Sequence, residues 1–308
     1  MKQILEQLLT KNGVAIIRIA NKMLSFVPGE RIPNVAELAE EMNIGRGTVQ
    51  QALKKLEELG LVRLESRGHQ GTYLVDIDLL KTWEMVSFDG IAAVMPLPYS
   101  KRYEGIATGL RQILEQSGLR FNLAYMRGAD NRIKNLLNKR YDLVLTSRYA
   151  AQQAVQDGKP IGIVINFGPE SYVSGHSLVF RNETFDAIQD GMRVGLDFES
   201  IDQKTLTEKV CQGKQVEFIP VPYSQLLSYL QDGEIDACVF NSDEVQERYL
   251  NFKQVPISFI EQNSNTEAVL VSREEDVRVF RHLFSLVDTE LILTIQKDVI
   301  AGVRYPNY

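Results

Sequence analysis

Residues 31–75 constrain the fold of this chain more than any other stretch. Asn34 followed by Glu37 is a capping-box pattern, in which each side chain satisfies a free backbone N–H at the start of a helix. The helix that begins here should end at about Met42, because Asn43 tolerates the backbone conformations that a turn requires. The pattern therefore predicts a short helix followed at once by a turn.

A second helix is expected from about Arg46 to Leu59, with Gly60 in the position that favours a glycine after a helix end. Its apolar residues recur at three- and four-residue steps and so share one face: Val49, Ala52, Leu53, Leu56 and Leu59. Two strand-like segments, LVRLE and TYLVD, follow and are joined by the glycine-containing turn SRGHQG. This order is that of a winged helix-turn-helix, which places its second helix in the DNA major groove.

Polar side chains off the apolar face of the second helix, and those of the wing, carry donors suited to phosphates and base edges. The predicted DNA-binding residues are Arg46, Thr48, Gln50, Gln51, Lys54, Lys55, Arg67, His69, Gln70 and Thr72. An ordinary amphipathic helical segment is the alternative interpretation. It accounts for one helix pair but not for the full order of cap, turn, helix, glycine, strand, wing and strand.

The stretch resembles the winged-helix domain of the GntR family of bacterial transcription regulators. The matching residues are Pro33, Glu37-Leu38-Ala39, Arg46, Thr48-Val49, Ala52-Leu53, Leu56 to Gly60-Leu61 and Gly71-Thr72. Gly45 replaces the usual serine cap, at a cost of only a few tenths of a kcal/mol. Gln50 replaces an arginine that approaches DNA in the family, which removes a charge near phosphate. The resemblance implies binding of double-stranded DNA, at reduced strength.

Charge is divided unevenly along the 308 residues, whose net charge is −6. Residues 1–78 carry 10 Lys and Arg against 10 Asp and Glu, and residues 79–308 carry 24 against 30. A neutral DNA-binding domain attracts DNA only modestly, so a homodimer that reads two half-sites is expected.

Compartment is indicated by three features. No apolar run approaches the eighteen or so residues of a membrane span, and the N-terminus lacks the pattern of a signal peptide. The two cysteines, Cys211 and Cys238, have apolar or uncharged neighbours and are expected to be reduced thiols. These features predict a cytoplasmic protein without a membrane partner.

The chain before residue 30 is predicted to be helical. One apolar stripe falls on Leu5, Leu8 and Leu9, and a second on Ile16, Ile19, Ala20 and Met23.

The chain after residue 78 alternates strand-like and helix-like segments, which favours parallel α/β sheets. Residues 79–88 form a connecting segment that is too apolar for a flexible linker, and its Trp83 should pack against one of the domains. Two series of elements share an echo: Tyr141-Asp142 and Ile235-Asp236 each precede a strand that ends in small polar residues. Two similar lobes with polar strand ends predict a ligand cleft between them.

This part resembles the type II periplasmic-binding-protein fold, also used as an effector domain in cytoplasmic regulators, and its best local match lies from Gly233 to Val239. The resemblance implies an overall α/β class, with a winged helix-turn-helix domain at 1–78 and a two-lobed α/β clamshell at 89–308. Lobe 1 would comprise about 89–170 and 255–308, finished by a helical region from about Glu274 to Ile300. Lobe 2 would comprise about 175–250, with a crossing at 162–181. Over its whole length the chain resembles the YhfZ-like regulators.

Loops before the expected helices of both lobes offer polar groups and free backbone N–H groups to an anion. The predicted ligand-binding residues are Ser100, Arg102, Ser147, Arg148, Asp197, Ser200, Tyr223, Asn241 and Asp243. Arg102 and Arg148 are the expected partners of a carboxylate or phosphate, because a guanidinium group matches those anions bidentately. Surface solvation or helix capping is the alternative for each residue, above all for Ser100 and Ser147.

Catalysis is not expected. Gly175-His176-Ser177 places an imidazole beside a hydroxyl, but neighbouring strand residues point to opposite faces. The histidines His69, His176 and His282 are too far apart in sequence to indicate a metal site, and no cofactor motif is present. The sequence therefore predicts a one-component transcription regulator that senses a small anionic metabolite. Two alternatives stay open: a clamshell that serves only dimerisation or partner docking, and a small-molecule transferase or lyase with a vestigial winged helix.

Overall fold

The structure is a computed structural model that describes residues 10–87, 89–247, 252–257 and 264–308. The predicted apolar stripe of Leu5, Leu8 and Leu9 lies outside these residues. The chain divides into two compact units. The first comprises the described residues up to Gly90 together with 117–120 and 278–287. The second comprises the described residues of 91–116, 121–277 and 288–308.

The first unit contains the predicted winged helix-turn-helix. Its elements in chain order are α1 (Lys11–Met23), α2 (Val35–Met42), α3 (Arg46–Glu58), β1 (Val62–Ser66), β2 (Thr72–Ile77) and α4 (Leu79–Val86). The expected capping box is present: Oδ1 of Asn34 accepts from the Glu37 N–H at 3.0 Å, and the Glu37 carboxylate accepts from the Asn34 N–H at 2.8 Å. Asn43 ends α2 with a φ of 53°, as its turn-forming character predicts.

The core of the first unit is formed by the apolar faces of its helices. Ile19 and Met23 of α1 and Leu56 of α3 are fully buried. The connecting segment is the helix α4, capped by Asp78, and its Trp83 packs edge-on against Phe280 at 5.7 Å between ring centroids. The prediction that Trp83 packs on one of the domains is therefore confirmed.

A C-terminal helix also joins this core. The stretch predicted as one helical region of the first lobe forms two helices, α11 (Val277–Phe284) and α12 (Thr289–Ile300). The segment Arg278–Val287 belongs to the first unit, because the apolar face of α11 that carries Phe280 packs there. Arg278 also forms an ion pair with Glu30 at 2.8 Å.

The second unit contains two mixed sheets, one in each lobe. The first lobe comprises β3 (Ile91–Met95), α5 (Lys101–Gln116), β4 (Phe121–Tyr125), α6 (Ala129–Leu137), β5 (Leu143–Ser147), α7 (Arg148–Gln156), β6 (Ile161–Asn166), β12 (Ala268–Arg273) and α12. Its strand order is β4-β3-β5-β12-β6. Strands β3, β4 and β5 are parallel, and β12 runs antiparallel to both β5 and β6. The sequence predicts parallel sheets, and β12 departs from that prediction because the chain returns from the other lobe to form it.

The second lobe has an equivalent plan. It comprises β7 (His176–Phe180), β8 (Arg193–Leu196), α8 (Ile201–Val210), β9 (Glu217–Pro220), α9 (Leu226–Asp232), β10 (Ala237–Asn241), α10 (Ser242–Glu247) and β11 (Lys253–Ile257). Its strand order is β11-β7-β10-β8-β9, and only β7 pairs antiparallel with its neighbours β10 and β11. Both faces of this sheet are covered by apolar side chains.

The aspartate that recurs in the two lobes makes the same pair of backbone hydrogen bonds in each. Asp142 donates its N–H to the Ala92 carbonyl at 2.7 Å, and its carboxylate accepts the Ala92 N–H at 3.0 Å. Asp236 makes the same two bonds to Arg193, at 2.8 and 2.9 Å. In each lobe an aspartate therefore clamps the incoming strand to its parallel neighbour, which aligns the polar residues at the other end of that strand.

Helices α5 and α12 approach so closely that their contact requires glycine. A Cβ atom at Gly109 would lie 2.7 Å from the Ile292 carbonyl oxygen, and one at Gly105 would lie 2.9 Å from the Gln296 carbonyl oxygen. Backbone atoms cannot move aside as a flexible side chain can, so α12 would have to shift.

We expect Gly109→Ala to lower the free energy of unfolding of the protein by about 1–3 kcal/mol, as overpacking of a close contact does. Gly47→Ala is the matched helical control: a Cβ there meets nothing within 4 Å, so it should raise stability by up to about 1 kcal/mol. Urea unfolding followed by circular dichroism checks both. Equal effects of the two substitutions would contradict the close approach of α5 and α12.

Candidate DNA-binding surface and inter-lobe cleft

The exposed face of α3 carries the predicted donors. Arg46, Gln50, Gln51, Lys54 and Lys55 are exposed, whereas Thr48 is half-buried. The opposite face, with Val49, Ala52, Leu53 and Leu56, is buried in the domain core. Gly45 precedes the helix and makes no side-chain cap, as its lack of a side chain dictates. The positive charge of this face is reduced by Glu58, which lies 3.2 Å from Lys55 and 3.8 Å from Lys54.

The wing is a two-stranded hairpin whose tip is exposed. Arg67, His69 and Gln70 are exposed around a 3-10 turn, and Thr72 is half-buried opposite Ser66 at the base of the tip. Arg67 lies over the Tyr73 ring at 4.4 Å and pairs with Glu65 at 2.9 Å. This pairing lowers the pKa of the Glu65 carboxyl through the hydrogen bond and the charge of Arg67.

Within the second unit, side chains from both lobes meet at the carboxyl ends of β5 and β10. Ser147 ends β5 and caps α7 by accepting the Ala150 N–H at 3.0 Å. The same hydroxyl donates to Asp202 of α8 in the other lobe, with oxygens at 2.7 and 3.0 Å. Tyr149 adds a second inter-lobe bond, from its hydroxyl to Thr205 at 3.2 Å. Hydrogen bonds therefore join the two lobes at the edge where the sequence predicts a ligand cleft.

The two arginines predicted to bind an anion each have a carboxylate partner in the protein. Arg102 binds Asp243 of the other lobe through Nε at 3.0 Å and Nη2 at 3.3 Å, and also contacts the Glu170 carbonyl. Arg148 binds Glu267 at 2.6 and 2.9 Å. Asn166 donates to the same carboxylate at 2.8 Å, and these donors lower the pKa of Glu267 against the effect of its burial. Both arginines thus serve internal ion pairs in this structure.

Three of the other predicted ligand residues, Ser100, Asp197 and Ser200, lie in loops or at helix starts. Ser100 is buried and accepts the Tyr103 N–H at 3.4 Å, so it caps α5. Asp197 is buried and accepts the Tyr223 N–H at 2.8 Å, which fixes one loop of the second lobe. Ser200 precedes α8 without a side-chain cap bond.

Tyr223 and Asn241 lie at the end of β10. The Tyr223 hydroxyl accepts the Asn241 N–H at 2.9 Å, and its ring stacks on Phe240 at 4.5 Å between centroids. Oδ1 of Asn241 accepts the Asp243 N–H at 2.9 Å. The amide nitrogen of Asn241 is buried and has no hydrogen-bond partner in the part of the chain that the structure describes.

Sequence reasoning missed the most deeply placed charges of the cleft. Arg132 of α6 is only 3% exposed; its Nη1 donates to the Met126 carbonyl at 2.9 Å, and its Nε has no partner among the described residues. Asp202 and Glu244 are also buried. The missed signal is an ionisable residue in the first turn of a helix that follows a strand. Such residues are common on solvated helices, so spacing alone could not single these out.

Burial changes the ionisation of the groups around the cleft. Desolvation raises the pKa of Asp202 to about 6, although the Ser147 hydrogen bond and the charge of Arg132 oppose it. Burial also raises the pKa of Tyr103 and Tyr172, whose rings meet edge-on at 5.2 Å. Both phenols therefore stay neutral at physiological pH and can act as hydrogen-bonding groups.

The histidine and serine considered for catalysis bind separate partners. Nδ1 of His176 lies 3.0 Å from the Asn265 amide, and Ser177 is hydrogen-bonded to Ser242 at 2.8 Å. Burial lowers the pKa of His176 to about 4, so its ring is neutral at pH 7. Across the described residues, no group of three or more His, Cys, Asp and Glu side chains is arranged to hold a metal ion.

Comparison with known proteins matches both parts of the chain. Residues 28–74 match a helix-turn-helix domain family, and residues 78–308 match the YhfZ C-terminal domain. The uncharacterized protein YhfZ of Escherichia coli K12 is 35% identical over 303 residues, which cover 97% of this chain and 98% of that protein. The chain belongs to the YhfZ family.

A solved structure agrees with this membership. The crystal structure of YhfZ from Shigella flexneri, 32% identical, covers 75% of this chain and 98% of its own, with a TM-score of 0.62. The substrate-binding protein of a methionine transporter from Streptococcus pneumoniae, 10% identical, covers 71% and 95%, with a TM-score of 0.51. The latter likeness shows the fold alone. This YhfZ-family chain thus joins a helix-turn-helix, a DNA-binding fold, to a domain with the fold of a substrate-binding protein.

Within the described ranges, the helices are too short or too polar to cross a membrane. The two cysteines are free and buried, and burial raises the pKa of Cys211 to about 11. Their thiols are therefore protonated at physiological pH.

We expect the substitution Asp202→Asn to change the pH dependence of stability of this YhfZ-family protein. The pKa of Asp202 is raised from 3.8 in the unfolded chain to about 6, so its contribution to stability is lost as pH rises from about 4 to about 6. The variant lacks this loss. Its stability relative to the unmodified protein should therefore improve by about 1–3 kcal/mol across that window, in urea unfolding at a series of pH values. Parallel stability curves would contradict the dry environment assigned to this carboxyl.

Proposed function

We propose that this YhfZ-family protein is a one-component transcription regulator of the cytoplasm. Its GntR-like winged helix binds operator DNA, and its two-lobed domain binds a small anionic metabolite. Support for the DNA role comes from the division of α3 into a buried apolar face and an exposed face with Arg46, Gln50, Gln51 and Lys54. Such a helix presents donors to phosphates and base edges while its core face stays fixed.

The single observation that carries the sensing role is the buried polar cluster between the lobes. Donors from both lobes lie there without partners among the described residues: Nε of Arg132 and the amide nitrogen of Asn241. Unpaired buried donors are costly, and a ligand that supplies acceptors removes that cost. An arginine is the group best suited to bind a carboxylate or phosphate.

Control of DNA binding follows from the inter-lobe bonds. Ser147–Asp202, Tyr149–Thr205 and Arg102–Asp243 each join one lobe to the other and can form only when the lobes are closed. A ligand between the lobes favours the closed state by its differential affinity for that state. In a homodimer, such closure would alter the spacing of two DNA-binding domains. Two half-sites also compensate for the near-neutral charge of one domain.

The DNA role is tested by Arg46→Ala combined with Lys54→Ala. We expect this double variant to lose affinity for fragments upstream of its own gene, with the slope of log K against log salt reduced by about 2, as two lost phosphate contacts require. Electrophoretic mobility shift and anisotropy titrations at several salt concentrations measure both quantities. Lys81→Ala combined with Lys214→Ala is the control, since both lysines are exposed outside the α3 face. Unchanged binding by the first variant would refute the DNA role of α3.

The sensing role is tested by thermal shift of the full chain against a library of carboxylate- and phosphate-bearing metabolites. A ligand at a hundredfold its dissociation constant should stabilise the protein by about 2.7 kcal/mol. Arg132→Met should abolish the shift and Arg132→Lys should retain part of it, because lysine keeps the charge without the bidentate fork. Arg111→Met, at a half-exposed arginine of α5, is the control. Silence across the library would favour a docking or dimerisation role instead.

A further inference from the structure

The region between the lobes contains buried carboxyl groups as well as a buried arginine. Asp202 is 8% exposed and Glu244 is 1% exposed. Arg132 and Asp202 are close enough for the arginine charge to lower the aspartate pKa. Glu244 is close enough to Tyr103 and Tyr223 for its charge to help raise the pKa of both phenols. A ligand in this cleft therefore meets charges of both signs.

Asp202 is held by a neutral donor. Both of its oxygens accept from the Ser147 hydroxyl, at 2.7 and 3.0 Å. In the described ranges, no Lys or Arg nitrogen comes within the 4.0 Å of an ion pair with this carboxylate. A buried carboxylate without a direct ion pair is costly, and a ligand ammonium group would reduce that cost.

The donors and the acid come from different elements. Arg132 is in the first turn of α6 in the first lobe, and Asn241 ends β10 in the second lobe. Asp202 is in the first turn of α8. A purely anionic ligand would satisfy Arg132 and Asn241 and at the same time be repelled by Asp202 and Glu244. A purely cationic ligand would leave the two donors unpaired.

We infer that the ligand is a zwitterion of the amino-acid class, with its carboxylate on Arg132 and Asn241 and its ammonium group on Asp202. This inference rests on the proposed sensing role and narrows the ligand from any anion to one that also carries an amine. The hydroxyl of Tyr172, 3.5 Å from Nη2 of Arg132, and the adjoining ring of Tyr103 form the neutral wall beside the charged groups.

The experiment is isothermal titration and thermal shift of the full chain with proteinogenic amino acids in both L and D forms. Each amino acid that binds is then compared with its 2-hydroxy acid, which lacks the ammonium group, and with its decarboxylated amine. We expect the amino acid to bind and each analogue to bind at least tenfold more weakly, since hydrogen bonds to charged groups contribute about 1.5–3 kcal/mol, or about 10- to 150-fold.

Variants assign the two ends of the ligand. Asp202→Asn should weaken the amino acid at least tenfold but leave the 2-hydroxy acid unchanged or tighter, because the repelling charge is gone. Arg132→Lys should weaken both ligands. Asp232→Asn, at an exposed carboxylate at the end of α9, should change neither affinity. Circular dichroism and the melting temperature without ligand verify that each variant is folded.

Two results would overturn the inference in distinguishable ways. If 2-hydroxy acids or dicarboxylates bind as tightly as amino acids, the amine is not recognised, yet the anionic sensing role stands. If none of these probes nor any carboxylate or phosphate of the wider library binds at millimolar concentration, the sensing role fails together with the inference.

Discussion

The two-lobed unit depends on hydrogen bonds to the polar groups that are buried at the carboxyl ends of β5 and β10. Ser147 and Asn241 are fully buried there, and a buried polar group without a hydrogen-bond partner is destabilising. Ser147 is satisfied from the opposite lobe by Asp202. Each lobe therefore completes the hydrogen bonding of the other, and separation of the lobes must expose these groups to water. The amide nitrogen of Asn241 is buried there without a hydrogen-bond partner among the described residues.

Charge is handled differently in the two halves of the molecule. On α3 and the wing, the lysines and arginines remain at the surface, where Glu58 and Glu65 partly neutralise their positive charge. In the cleft, Arg102 and Arg148 are already neutralised by Asp243 and Glu267. Charges at an exposed surface are screened by water and salt, whereas the charges of desolvated groups are screened much less.

Local signals in the sequence predicted local structure well. The capping box at Asn34, the turn at Asn43 and the glycine after α3 were each readable because their partners lie within four residues. Asp142 and Asp236 were recognised in the sequence as a repeated pattern. In the structure, each aspartate makes the same hydrogen bond to the neighbouring strand of its own lobe. The fold class followed from the alternation of helices and strands. Strand direction did not, because β12 pairs with strands more than one hundred residues earlier.

The cleft shows why side-chain partners resist prediction from one sequence. Arg102 and Asp243 were both chosen as ligand residues, yet they are 141 positions apart and bind each other. Arg132 passed unnoticed because its burial comes from tertiary packing. A similar long-range effect assigns Arg278–Val287 to the first unit, where Phe280 meets Trp83. A truncation after residue 78 would remove both aromatic residues from the winged-helix unit, so its core includes residues from the YhfZ C-terminal domain. The winged-helix unit is therefore not a single continuous stretch of the chain.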